Sequence, residues 1–385
     1  MGALHKMEKT TRIVIGLIAF AVLVLAIVYG FGGVMTGNVS KKETIKIGFI
    51  GPLTGDAAGI GQNSRTAVEL AVEEVNAAGG INGKNLEIIY EDGQCTPKTA
   101  NNAANKLVNL DKVPAIIGGE CSSETLSAAP VAEGKTVMVS PCSSAPGVTQ
   151  AGDYIFRAYP SDTFQGKESA EVVYNKLKAS KAAILYCLSD YCVGIKDVFK
   201  KRFAELGGKI VADEGNEQTS RDLKSQLTKI KEANPDVIYL VEYTEAEIIA
   251  LKQIKELGIK AQIIGTDTTD DPKIWQEAGS AAEGMLYSIV DAPMTNEFKA
   301  AMRAKTGKDD ITVCTPQAYD VVKILAKIIK EKGTSSEAIK NALYSLKEYD
   351  GISGKISFDS NGDLKNAKYV IKVIKNGKSE LFSGA

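Results

Sequence analysis

From Thr44 onward the hydrophobic positions alternate between short runs and helical spacing. "TIKIGFI" (Thr44 to Ile50) reads as a strand, and beyond the loop "GPLTGDAAGIGQNS" the residues Val68, Ala71, Val72 and Val75 fall on one helical face. "NLEIIYED" predicts a second strand, "PKTANNAANKLV", with its early proline, a helix, and "VPAIIGG" a third strand. An alanine-rich helix after Ser122 and the strand "KTVMVSP" complete a first series, which predicts a parallel sheet covered on both faces. The alternation then restarts. "KAAILYCL", "VGIKDVFKKRFAELGG", "KIVADEG", "RDLKSQLTKIKEANP", "PDVIYLVEY", "EAEIIALKQIKELG" and "AQIIGTD" read as strand and helix in turn. Two doubly wound α/β domains in tandem are expected, with no linker rich in Pro, Gly or Ser between them. The tail differs, with helices around "PQAYDVVKILAKIIKEKG" and "SSEAIKNALYSL". The strands "GKISFD" and "AKYVIKVIKNG" then flank the turn "SNGD", which reads as a hairpin. "DSNGD" resembles the start of a calcium loop, but the downstream spacing fails.

One apolar run stands outside this pattern. "IVIGLIAFAVLVLAIVYGFGGVM" (13–35) carries no charge and exceeds the roughly 7–15 residues of a signal h-region, approaching the roughly 20 of a bilayer span. It reads as an uncleaved transmembrane anchor rather than a cleaved signal, behind a cytoplasmic segment 1–12 and ahead of a linker 36–43. His5, Lys6, Lys9 and Arg12 precede it and Lys41 and Lys42 follow, a mild positive-inside bias that points to an exported body. The expected location is the cell surface or periplasm, or secreted form if the segment is cleaved. The sequon at Asn38 reads as chance.

Composition narrows the chemistry. Among 385 residues the formal net charge is -1, so nothing points to nucleic acid or an anionic membrane surface. The single histidine, His5, lies upstream of the apolar run, which argues against imidazole catalysis and His-rich zinc sites. There is no GxSxG, Walker A or HExxH, and "GPLTGDAAGIG" has the wrong spacing for a dinucleotide fingerprint. No enzyme, cofactor or metal is expected. The six cysteines, Cys95, Cys121, Cys142, Cys187, Cys192 and Cys314, form no CxxC pair and fit an oxidising compartment, either as disulfides or, for some, as small buried hydrophobes.

The stretch "IIGGECSSETLSAAP" (116–130) places small donors where a strand ends and a helix begins. In open parallel sheets ligands bind outside the carboxyl ends of strands, where helix N-termini present unpaired N–H groups. Gly118 and Gly119 let the backbone approach closely, and Ser122 or Ser123 can cap the helix while offering a hydroxyl. "SPCSSAPG" (140–147), with Ser143 and Ser144, repeats the device after the next strand. Two such strand ends suit a carboxylate, although plain N-capping uses the same residues.

"IKIGFIGPLTGDAAGIGQNSRTAVELAVEEVNAAGGINGKNLEIIYEDGQC", "CSSETLSAAPVAEGKTVMVSPCSSAPGVT", "SAAEGMLYS" and "GKISFDSNGDLKNA" occur in this order from about Thr44 to the C-terminus. Together they resemble the extracytoplasmic solute-binding proteins for branched-chain amino acids, the leucine/isoleucine/valine-binding group of ABC importers, of the periplasmic binding protein type I fold. The resemblance implies that Ser122 and Ser144 hold a ligand α-carboxylate and that the carbonyl of Cys142 accepts from the α-ammonium. Asp267 in "IIGTDTTDDP" would complete the ammonium site, and Tyr191 and Tyr243 would close over the ligand. Two departures stand out. The family's acid is commonly glutamate, and Ile60 occupies a position that is often aromatic.

By the same resemblance Cys95 pairs with Cys121, a loop of roughly 25 residues whose closure contributes on the order of 3 kcal/mol. Cys187 and Cys192 are near enough to close a small loop around Tyr191, while Cys142 and Cys314 either bond across the interdomain region or remain thiols. The family's three hinge strands imply crossings near Tyr159, Ser288 and Asp350, giving a first lobe of 44–159 and 289–349 and a second of 160–288 and 350–385. The implied function is capture of an amino acid by hinge closure and delivery to ABC permease and ATPase subunits. The alternative is a ligand-sensing ectodomain working with a separate signalling partner.

Overall fold

The structure, a computed structural model, describes residues 43–308 and 311–383. The apolar run 13–35, its flanks and the Asn38 sequon lie outside the described residues. No helix among the described residues is long and apolar enough to cross a membrane.

Five strands, β1 (Thr44–Gly51), β2 (Asn85–Asp92), β3 (Ala115–Ile117), β4 (Val137–Ser140) and β5 (Ile155–Arg157), form a wholly parallel sheet in the order β2-β1-β3-β4-β5. The connecting helices are α1 (Ala58–Ala77), α2 (Pro97–Asn105) and α3 (Ser122–Ala132). A second sheet repeats the order with β6 (Lys181–Cys187), β7 (Lys209–Asn216), β8 (Val237–Val241), β9 (Gln262–Gly265) and β10 (Leu286–Val290). It carries α4 (Asp162–Glu171), α5 (Asp190–Glu205), α6 (Lys224–Ala233), α7 (Thr244–Glu256) and α8 (Pro272–Ala278).

The chain next forms α9 (Asn296–Thr306), α10 (Thr315–Lys332) and α11 (Ser336–Tyr344), then a short hairpin of β11 (Tyr349–Gly351) and β12 (Gly354–Ile356). Finally β13 (Tyr369–Lys375) and β14 (Lys378–Leu381) join the second sheet antiparallel, giving β14-β13-β10-β9-β8-β6-β7.

Near-continuous apolar strands follow from helices on both faces of each sheet. In the first, Phe49 and Ile117 bury against Val68 of α1 and Val321 and Leu325 of α10. Their neighbours Ile50 and Ile116 bury on the opposite face against Ala104 of α2 and Ala128 of α3. In the second, Ile184 and Tyr239 meet Phe199 and Phe203 of α5, while Leu185 and Leu240 meet Leu227 of α6 and Leu251 of α7.

Two expectations for the tail are corrected. "GKISFD" and "AKYVIKVIKNG" do not form a hairpin, because β12 pairs back with β11 and β13 pairs with β10 and β14. The "SNGD" turn is closed instead by the Asp359 carboxylate, which accepts from Asn361 N and Asp363 N at 2.8 and 3.0 Å. The third passage between sheets also lies later than Asp350: Ile356, Phe358 and Leu364 pack in the first sheet's core, and the chain enters the second only at β13. The fully buried Arg157 fixes this arrangement, bonding the Asp363 carboxylate at 2.7 Å and the carbonyls of Ser144 and Ala145 at 3.0 and 2.9 Å. A buried guanidinium needs this many acceptors to offset its desolvation.

Three disulfides are present: Cys95–Cys121, Cys187–Cys192 and Cys142–Cys314. The third lies wholly within the part of the chain that packs on the first sheet, between the loop after β4 and the segment entering α10, rather than across the two sheets.

Buried acids give this core a pH signature. Glu247 on α7 accepts from Thr269 Oγ1 at 2.6 Å, and burial pushes its carboxyl up from 4.5 to about 8. The folded chain therefore keeps a proton there that the unfolded chain releases, so this group's contribution is full below about 4.5 and is lost as pH rises to about 8. Glu247→Gln, which cannot ionise, is expected to gain stability relative to wild type across that interval. Urea midpoints for the two proteins at several pH values measure this.

Candidate functional site

In each sheet the strand order reverses beside its first strand, β1 or β6, and loops leaving neighbouring strands diverge there to open a crevice. The residues that line one buried cavity all follow carboxyl ends of these strands, apart from Val313. Ile60 follows β1; Glu120, Cys121 and Ser122 follow β3; Cys142 and Ser144 follow β4. From the second sheet come Tyr191 after β6, Tyr243 after β8, and Asp267 and Thr268 after β9.

Close backbone approach shapes the first wall. A Cβ on Gly118, whose φ is +121°, would stand 2.1 Å from the Ile50 carbonyl oxygen, so a side chain there would push β3 off β1. Cys121 caps α3, and Glu124 answers it, accepting from Cys121 N at 3.0 Å and Cys95 N at 2.9 Å. The disulfide and this carboxylate together hold the "EDGQC" loop against the start of α3.

Ser122 opens α3, where the first N–H groups have no intrahelical acceptor. Its Oγ accepts from Ser144 N at 3.2 Å and Ala145 N at 3.1 Å. With both lone pairs engaged, its proton is left to donate. The Ser144 carbonyl accepts from Arg157 and from Asp162 N at 2.8 Å, which fixes the loop that carries its hydroxyl.

The facing wall is built around Asp267, 4% exposed, in a short 3₁₀ turn after β9. Tyr159 Oη donates to one carboxylate oxygen at 2.6 Å, and Tyr191 Oη donates to the other at 2.8 Å. Burial raises the Asp267 carboxyl, and the two phenol donors oppose that rise. Burial likewise pushes the Tyr159 and Tyr191 hydroxyls up, so both remain protonated donors. Tyr191 and Tyr243 lie on this wall with ring centroids 5.8 Å apart and ring planes tilted by 40°.

The structure thus brings Ile60, Ser122, Cys142, Ser144, Tyr191, Tyr243 and Asp267 to one cavity, and two other anticipated residues elsewhere. Ser143 turns inward, its Oγ bonding the carbonyls of Gly119 and Glu120 at 2.9 and 3.2 Å and the Thr125 hydroxyl at 2.7 Å. Ser123 faces the second sheet's helices, accepting from Asp190 N at 3.3 Å. Four lining residues went unassigned as such. Glu120 stood in plain view as the acid of "GGECSS", and Cys121 and Thr268 adjoin assigned residues. Val313 carries no sequence signal, because it arrives from a segment remote in the chain and is held beside the cavity by the neighbouring Cys142–Cys314 bond. Tyr159 was read only as a crossing point, yet it is a direct partner of Asp267.

Comparison with known proteins agrees with this architecture. The family model described as periplasmic binding protein matches residues 44–378. A leucine-, isoleucine-, valine-, threonine- and alanine-binding protein of Pseudomonas aeruginosa is 32% identical over 86% of this chain and 89% of its own length. The Leu/Ile/Val-binding protein of Escherichia coli is 28% identical over 86% and 91%. Among solved structures, a leucine-binding protein of Thermotoga maritima superposes with a TM-score of 0.82 at 29% identity, covering 88% of this chain and 98% of that one. The branched-chain amino acid transporter substrate-binding protein of Streptococcus pneumoniae, solved with isoleucine, gives 0.80 at 30% identity, covering 88% and 98%. With two sheets of like strand order whose strand ends meet over one buried cavity, and with these matches along most of its length, the chain belongs to the periplasmic binding protein family of branched-chain amino acid type.

Proposed function

We propose that this protein is the extracytoplasmic receptor of an ABC importer, which captures an α-amino acid between its two sheet-bearing lobes and delivers it to a permease. The observation that carries the reading is the convergence of opposite chemistries on one cavity. Ser122 and Ser144 offer donors from the first sheet, and Asp267 offers an acceptor from the second. A buried zwitterion needs both of its charges met, or its desolvation outweighs the contacts it makes.

The lobes in this reading are residues 44–159 with 291–364, and 160–290 with 365–383, joined by three passages. Ligand held on the first lobe recruits Asp267, Tyr191 and Tyr243 on the second, so the closed form is populated by the ligand's greater affinity for it. Contacts such as Asp190 N to Ser123 Oγ and the Arg221–Asp56 ion pair would break on opening. The relatives named for leucine, isoleucine and valine support an amino-acid ligand, and the family places the protein outside the cytoplasm.

Isothermal titration of the full-length chain with a panel of L-amino acids tests the reading. At least one is expected to bind and to raise the melting temperature by mass action. Ser122→Ala removes one donor to the carboxylate and is expected to weaken binding by about tenfold, in line with roughly 1.5 kcal/mol for a hydrogen bond to a charged group. Retention of full affinity in that variant would show the carboxylate to be held elsewhere.

A further inference from the structure

Glu120 is the cavity residue that a plain aliphatic amino acid leaves unexplained. It is 2% exposed, it lines the same cavity as Ser122 and Asp267, and its backbone carbonyl is held by Ser143. Oε2 accepts from Ser64 Oγ at 3.1 Å, whereas Oε1 is buried without a hydrogen-bond partner. Its place is built rather than incidental. A Cβ on Gly51 would stand 2.7 Å from Glu120 Cγ, so the glycine at the end of β1 clears space for the glutamate stem. Ser64 and Ile60 lie one turn apart on α1, which puts the Glu120 carboxylate beside an apolar lining residue.

The charges of the cavity sharpen the point. Among the described residues its lining includes two acids, Glu120 and Asp267, and no lysine or arginine. An α-ammonium answers Asp267 and leaves Glu120 over. An apolar side chain would then set methyl groups against an unsatisfied carboxylate oxygen, whereas a second ammonium at the end of a methylene stem would meet it directly. Ile60 and Val313 are suited to cover the methylenes of such a stem. Burial holds the Glu120 carboxyl well above its usual range, with the nearby Glu124 charge adding to the effect. A cation at this spot would oppose both effects by favouring the ionised carboxylate.

We infer that Glu120 selects the ligand's side chain, and that the preferred ligand is an α-amino acid bearing a terminal amine on a short methylene chain. The inference rests on the amino-acid reading above and names the ligand class within it.

Isosteric pairs test it by titration calorimetry on the full-length chain: L-2,4-diaminobutyrate against L-norvaline, and L-ornithine against L-norleucine. Wild type is expected to bind the diamino member of at least one pair tenfold or more tightly than its methyl counterpart. Glu120→Leu should reverse that preference, and Glu120→Gln, which keeps the shape and loses the charge, should flatten it. If Glu120→Leu fails to fold, Glu120→Gln carries the test alone. Equal or tighter binding of the methyl members by wild type, or a preference unchanged in Glu120→Gln, overturns the assignment of Glu120. If that happens while norvaline or norleucine binds and is lost in Asp267→Asn, the amino-acid reading stands and only this inference falls. Failure of every amino acid in the set to bind overturns both.

Discussion

Replacing Asp267 by asparagine is expected to remove most amino-acid affinity while leaving the fold intact. The carboxylate sits 4% exposed on the second sheet's wall, its orientation set by the Tyr159 and Tyr191 hydroxyls. Asparagine has nearly the same shape and its carbonyl can still accept from one phenol. Its amide nitrogen, however, would face the ligand ammonium or the second phenol as a donor against a donor. Truncating one partner of a buried charge pair costs about 2–5 kcal/mol, or roughly 30- to several-thousand-fold in Kd. Without ligand the sign differs. Burial disfavours the Asp267 charge in the empty cavity, so the melting temperature of ligand-free Asp267→Asn is expected to equal or exceed that of wild type. Calorimetry on ligand binding and thermal melts with and without ligand separate the two effects. If Asp267→Asn bound the same amino acid within a factor of about three, the ammonium would have to be held by another group.

The second large effect is expected from Cys142→Ser combined with Cys314→Ser. The bridge joins residues 172 apart in sequence. In the chain-entropy account a loop of that length contributes about 5 kcal/mol, against roughly 3.5 kcal/mol for Cys95–Cys121 and roughly 2 kcal/mol for Cys187–Cys192. The double variant should therefore show the largest loss of melting temperature of the three corresponding serine pairs. It should also weaken ligand binding, because Cys142 and Val313 line the cavity and the bond clamps the segments that carry them. Melts of the three double variants, each ligand-free and at a saturating ligand concentration, measure both consequences. A smaller loss for this pair than for Cys187 with Cys192 would mean that loop length does not govern disulfide stabilisation here.

Much of this molecule was readable along the chain. Alternating apolar strands and amphipathic helices imply parallel sheets, because a strand buried on both faces needs helices on both sides. Ser122 could be singled out for a related reason: it sits where a strand gives way to a helix, and residues at such junctions in these sheets reach the crevice. Asp267 and Tyr191 were expected only through the family resemblance, since by itself an acid after a strand serves equally well as a helix N-cap.

What misled was information the local sequence does not hold. "GKISFD" and "AKYVIKVIKNG" look like the two arms of a hairpin around "SNGD", yet Phe358 buries in one core and Ile371 in the other. Turn chemistry fixes the turn but not the partners of the strands on either side. Ser143 and Ser144 are adjacent and alike, and only the network around Gly119 turns one hydroxyl inward while its neighbour lines the cavity.

By itself the sequence determined the layered α/β architecture, its doubling, and two strand ends whose small donors suit a carboxylate, since these depend on periodicities and junctions confined to short stretches. The tertiary structure decided that Cys142 and Cys314 bond rather than remain thiols, where the chain makes its third passage, and that Glu120, a lining residue of the cavity, keeps one buried oxygen unpaired. Each of these depends on groups brought together from distant parts of the chain, and their meeting is set by the packing of whole elements, which no local pattern encodes.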